Sequence, residues 1–127
     1  MRRGTRAEKR EALLLSWYRE QLKMMIPHLL KMWQAKLGVK ARAWGIKKMK
    51  TKWGSCNVDS GRVWFNLELA KKPPQCLEYM VLHELVHLLE RHHNERFTAL
   101  MDGAMPQWRQ FRKLLNAAPL GHESWTY

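Results

Sequence analysis

Leu77-Glu78-Tyr79-Met80-Val81-Leu82-His83-Glu84-Leu85-Val86-His87-Leu88-Leu89-Glu90-Arg91-His92-His93 is the stretch that decides how this chain is read. Leu77, Met80, Val81, Leu85, Leu88 and Leu89 recur at spacings of three and four, which predicts an amphipathic helix opening near Gln75 and fading near Arg91. Inside it, His83-Glu84-Leu85-Val86-His87 is H-E-x-x-H. Residues four apart on a helix share a face, with Cβ atoms about 5–6 Å apart, so two imidazoles can aim nitrogens at one ion. Glu84 is turned away from that pair, yet it can lean over an open coordination position and accept a proton from a metal-bound water. A catalytic zinc takes three protein ligands and keeps one place open. His93, six residues after His87, supplies the third; His92 competes with it, and Glu90 and Glu123 are acidic alternatives. The expected site is one Zn2+ on His83, His87 and His93 with Glu84 as catalytic base, although imidazole suits other divalent ions too. A structural zinc would favour four ligands and cysteine. Cys56 and Cys76 form no C-x-x-C pair and read as two reduced thiols.

Upstream, Asn57-Val58-Asp59-Ser60-Gly61 is a turn cluster. Beyond it, Val63, Phe65 and Leu67 alternate with Trp64, Asn66 and Glu68, the pattern of a half-buried strand. Paired with a strand from Met49 to Trp53 it predicts a hairpin, and residues 41 to 46 offer a third strand. Further back, Leu13, Leu14, Trp17, Tyr18 and Leu22 mark a helix from about Arg6 to Met25. Pro27 interrupts, and Leu29, Leu30, Met32, Trp33 and Leu37 continue the pattern to a stop at Gly38, as one kinked helix or two short ones. Downstream, helices are predicted over Glu95 to Met101 and from Pro106, in its first turn, to Asn116. Residues 118–127 read as a tail.

The chain's 127 residues suit one domain, and 46% hydrophobic residues allow a core for it. Seven Trp are expected mostly to fill that core. The longest apolar run near the N-terminus, Leu13-Leu14-Leu15, is too short for a signal peptide or a membrane span, so the chain is read as cytoplasmic, with no membrane partner. The net charge of +12 is concentrated: residues 1–53 carry 15 Lys and Arg against 3 Glu, whereas residues 54–127 carry 8 basic and 8 acidic residues. Such a field attracts polyanions, including nucleic acid and nucleotides, but no nucleic-acid motif accompanies it.

Over roughly residues 8 to 117 the chain resembles the YgjP-like metal-dependent hydrolases, relatives of the SprT-like and minigluzincin proteases. The resemblance is carried by Met49-Lys50-Thr51-Lys52-Trp53-Gly54-Ser55-Cys56, Phe65-Asn66-Leu67-Glu68-Leu69, Leu77-Glu78-Tyr79 before H-E-x-x-H, then His93, Phe97 and Met105-Pro106. The histidine spacing is also that of metzincins, with Glu90 standing where those have glycine. The resemblance implies a zincin-like α+β domain: N-terminal helices, a small sheet of about three strands, the metal helix and C-terminal helices. It implies a zinc-dependent peptidase acting on a peptide or protein, with His83, His87 and His93 as ligands and Glu84 as base. A nucleotide phosphohydrolase and a nucleic-acid-associated metalloprotein are the competing readings. His92-His93-Asn94 and Phe97-Thr98 depart from the family's Asn-His-Ser and Phe-Trp and alter the pocket wall. Candidates for substrate contact are His92, Arg96 and Asn66, the last also as a partner for a ligand histidine. Tyr79 and Tyr127 join His92 and Arg96 as candidate donors to a developing oxyanion, and Met101 and Met105 are read as core, with a Met-turn under the metal as the alternative. The strand from Val63 to Leu67 is the expected edge for aligning an extended peptide.

Overall fold

The computed structural model describes residues 2–117, so the predicted tail, with Glu123, Trp125 and Tyr127, lies outside it. The elements run α1 (Arg2–Leu37), β1 (Ala43–Lys47), β2 (Gly54–Asn57), β3 (Arg62–Asn66), a 3-10 turn (Leu67–Lys71), α2 (Pro74–His87), α3 (Glu95–Ala104) and α4 (Trp108–Ala117). This is the predicted α+β order, and of the two alternatives for the N-terminal region it is the single helix that forms.

α1 passes through Pro27 unbroken. Proline removes one backbone donor and obstructs the carbonyl four residues earlier. Pro27 is solvent-exposed, so water can satisfy the freed carbonyl, while Ile26 and Leu30 on the other side are buried. Leu22, Ile26, Leu30 and Trp33 form the stripe that packs on α2, and Trp33 Nε1 donates to Glu78 Oε2 at 2.9 Å. The helix stops where predicted: Gly38 takes φ 71°, and its N–H and that of Val39 both reach the Gln34 carbonyl. Nearer the N-terminus Leu13, Leu14 and Trp17 of the stripe are left exposed by the described residues. Trp17 is 55% exposed, against the expectation of a core tryptophan, whereas Trp33, Trp53 and Trp108 are buried.

The sheet order is β1-β3-β2, with β1 parallel and β2 antiparallel to β3. Two expectations need correction. The strand preceding the turn is Gly54–Asn57, not Met49–Trp53; and the strand starting at Arg62 is central, so it cannot be an edge. The cause lies in Asn66. Its side chain is fully buried, donates to the Met49 and Lys52 carbonyls at 3.0 and 2.7 Å, and accepts from Glu68 N–H at 3.0 Å to cap the 3-10 turn. With Asn66 N–H on the Trp53 carbonyl, these bonds pin residues 49–53 as a loop that the sheet ladder does not include. Asn66 thus turns inward from the strand face expected to be polar. Asn66→Ala would take the side-chain donor from the Met49 and Lys52 carbonyls and the cap from the 3-10 turn, and urea unfolding should show a loss of about 2–4 kcal/mol.

Val63, Phe65 and Leu67 point into the core as their alternation predicted. Against that face lies α2, which is not amphipathic in place: every residue from Cys76 to His87 is buried except Glu78, which is half-buried. A helix covered by α1, the sheet, α3 and α4 has no solvent side to spare for polar residues. α2 ends at His87, earlier than predicted, and α4 begins two residues after Pro106. No helix among the described residues is long and apolar enough to cross a membrane.

Candidate metal centre

His83 and His87 lie on the last turn and a half of α2, the most buried element of the fold. Leu88 closes the helix in the αR region, and Leu89 and Glu90 N–H both bond the Val86 carbonyl. The chain then turns back without any non-glycine residue at positive φ among the described residues, so Glu90 replaces the metzincin glycine with no left-handed backbone. Asn94 caps α3 through the Phe97 N–H at 3.1 Å, and its amide reaches the Glu90 carboxylate. Glu90 is therefore held at the turn, by Asn94 and by Arg96 at 3.8 Å, and is not among the clustered ligands.

The turn brings His93 onto the helix pair. The ligand atoms of His83, His87 and His93 all lie within 4.8 Å of one another, and the Nε2 atoms of His87 and His93 are 2.8 Å apart. Two ring nitrogens at that separation need a proton or a cation between them. His87 Nδ1 lies 3.2 Å from the Glu90 carbonyl, an acceptor that places the proton on Nδ1 and leaves Nε2 as a lone pair. Phe97 packs against all three rings, with centroids 4.7–5.0 Å away, and forms an apolar wall. Burial lowers the pKa of each imidazole, that of His93 to about 4, with neighbouring imidazoles adding to the effect on His83 and His93. All three are neutral near pH 7, the form a metal requires. The donor set fits a zinc ion: three neutral imidazoles with an approach open to solvent at His93.

Glu84 is completely buried, and burial pushes its carboxyl up to about 8 while Lys52 pulls the other way. Its Oε2 has no hydrogen-bond partner among the described residues. A carboxylate so placed costs stability unless something in the site uses it. Room for it depends on Gly54 at the start of β2: a Cβ there would come 2.8 Å from Glu84 Oε2 and 2.7 Å from Met80 Cε. Glu84, His87 and His93 share a cleft of about 160 Å³ with Lys52, Gly54 and Ser55.

The other expected residues are dispersed. His92 is exposed, and Arg96 is exposed beside Glu90. Asn66 holds the 49–52 loop. Tyr79 is buried, stacked on Trp108 and edge-on to His83. Met101 and Met105 are core residues, and Cys56 and Cys76 are free thiols. Gly54 and Lys52 were not singled out by sequence reasoning. Only their place in the Lys52-Trp53-Gly54-Ser55-Cys56 run of the resemblance marked them.

A buried H-E-x-x-H helix returning a third histidine to the same point, on a small α+β scaffold, defines a metal-dependent hydrolase of the metallopeptidase class. The chain belongs to the YgjP-like metallopeptidase domain family, whose model matches residues 1–118. Its fold is similar to that of two metallopeptidase zymogens. Abylysin of Pyrococcus abyssi aligns with TM-score 0.63 and 17% identity over 69% of this chain and 89% of that one. Jannalysin of Methanocaldococcus jannaschii aligns with TM-score 0.60 and 19% identity over 69% and 90%. At that identity the likeness is one of fold. No curated protein matches the sequence.

Proposed function

We propose that the protein is a zinc-dependent peptidase in which His83, His87 and His93 hold one zinc and Glu84 is the general base. The observation that carries this reading is the convergence of three neutral imidazoles within 4.8 Å of one another, two of them lining the cleft shared with buried Glu84, whose Oε2 has no partner among the described residues. When bound, the ion supplies the Lewis acidity that makes water a nucleophile near neutral pH and polarises a carbonyl. Glu84 receives the proton of the attacking water and returns it to the leaving amine. Its raised pKa suits both transfers, because the group is basic enough to accept and acidic enough to donate near pH 7–8. The Glu90 carbonyl keeps His87 in the ligating tautomer. Phe97 keeps water off one side of the imidazoles.

The substrate backbone has a natural docking edge, and it is β2. Among the described residues that strand pairs only with β3, and Gly54, Ser55 and Cys56 line the cleft beside Glu84. An extended peptide adding to its outer side would pass the metal centre, which the central strand β3 does not permit.

Treatment with a chelator is expected to abolish cleavage of a peptide library, and one equivalent of zinc to restore it. Release of phosphate or diphosphate from nucleoside triphosphates by the zinc-loaded protein, with no peptide cut, would contradict the peptidase reading.

A further inference from the structure

A second groove adjoins the metal cleft. It measures about 380 Å³ and is lined by residues 47–52 and Ser55; Lys52 and Ser55 line both spaces. Four lysines line it, Lys47 at the end of β1 and Lys48, Lys50 and Lys52 in the loop that follows, and all are solvent-exposed. Lys47 lies over the Trp64 ring, 4.6 Å from its centroid. Lys48, Lys50 and Lys52 make no ion pair among the described residues. Among the described residues Glu84 is the one carboxylate in either lining, and Asp59 pairs with Arg91 at the rim of the metal cleft.

Lysines on a mobile loop would be a solvated surface and no more. This loop is anchored from beneath by the buried Asn66 side chain, which bonds the backbone of Met49 and Lys52. The backbone that carries the charges is therefore already ordered, which lowers the entropic cost of using them on a ligand. The loop also leads directly into β2, the edge proposed to align the substrate, so a peptide seated there would run past the lysines.

We propose that this groove selects peptides with acidic side chains on one flank of the scissile bond, with Lys48, Lys50 and Lys52 as specificity-determining residues. The proposal rests on the peptidase reading for the cleavage step and on the loop for recognition. Each exposed ion pair multiplies affinity by a small factor, so three together should favour an acidic peptide about tenfold over its lysine counterpart. Screening should erase most of that preference at about 0.5 M salt.

The test uses two fluorogenic peptides that differ only in Glu against Lys on that flank, with the zinc-loaded protein. The expected kcat/KM ratio of acidic over basic peptide is about ten at low salt. Lys48→Glu/Lys50→Glu should bring it to one or below. Lys31→Glu/Lys113→Glu, which makes the same change in net charge away from both grooves, should leave it in place. A ratio near one in the wild type, or an equal fall in both double variants, would overturn the proposal. Fluorescence anisotropy of the same peptides on the Glu84→Gln protein separates recognition from cleavage. If no peptide is cut but the acidic one still binds through Lys48 and Lys50, the peptidase reading fails and the groove stands. A labelled single-stranded oligonucleotide that binds more tightly than the acidic peptide, and through the same lysines, would overturn the peptide assignment in favour of nucleic acid.

Discussion

Replacing Glu84 by Gln is expected to leave zinc bound and to lower kcat for peptide cleavage by about 10²–10⁴-fold. Glutamine keeps the shape and loses the ability to take a proton, and Glu84 is not one of the clustered ligand groups. Wild-type cleavage rates in this variant would remove Glu84 as the base. The same substitution has a second, opposite signature in protein stripped of metal. The folded chain holds the Glu84 proton to about pH 8, whereas an unfolded chain releases it near 4.5. Between those values the native state binds the extra proton, so raising the pH costs stability; the penalty builds from about 4.5 and is complete above about 8. Glutamine does not titrate. Metal-free Glu84→Gln should therefore exceed metal-free wild type by on the order of 5 kcal/mol in urea unfolding above pH 8, and the two should converge toward pH 4. Coincident curves across this range would show that the carboxyl is solvated. A gain in stability together with a loss of rate would mark Glu84 as a group kept for chemistry at the expense of the fold.

His87→Ala should abolish the effect of zinc on thermal stability. The His87 ring lies between the other two, with centroids 4.8 Å from His83 and 4.5 Å from His93, and its Nδ1 is anchored on the Glu90 carbonyl. A ligand that binds only the native state stabilises it by mass action, about 3–4 kcal/mol at 100 to 1,000 times its dissociation constant. For a domain of this size that is a rise of roughly 10–20 °C in the melting temperature. The wild type should show the rise on adding zinc and His87→Ala should not. An equal rise in both would place the ion on other groups.

The chemistry was more legible in the sequence than the scaffold that positions it. His83 and His87 could be brought together from the helical repeat alone, because four residues make one turn. His93 could be counted as a third donor, but its return depends on the Asn94 cap and the turn at Glu90, which spacing does not encode. The sheet was misread at Met49–Trp53 because apolar Met49 and Trp53 alternate as in a strand. Gly54-Ser55-Cys56-Asn57, the true strand, has little intrinsic β preference and is held by pairing with β3. What decides between them is Asn66, a long-range contact. Strand order was hidden for the same reason: β1 and β3 are parallel neighbours with β2 between them in sequence. The helical face of α2 was read as a stripe, but α1, α3 and α4 cover the rest, a fact of tertiary packing.

The three-histidine centre is tested most directly by metal content, measured by mass spectrometry on wild-type and His93→Ala protein purified side by side without added metal. Near one zinc per wild-type chain with marked loss in the variant is the expected result. Full zinc retention by His93→Ala, or no metal in either protein even after zinc is supplied, would contradict it.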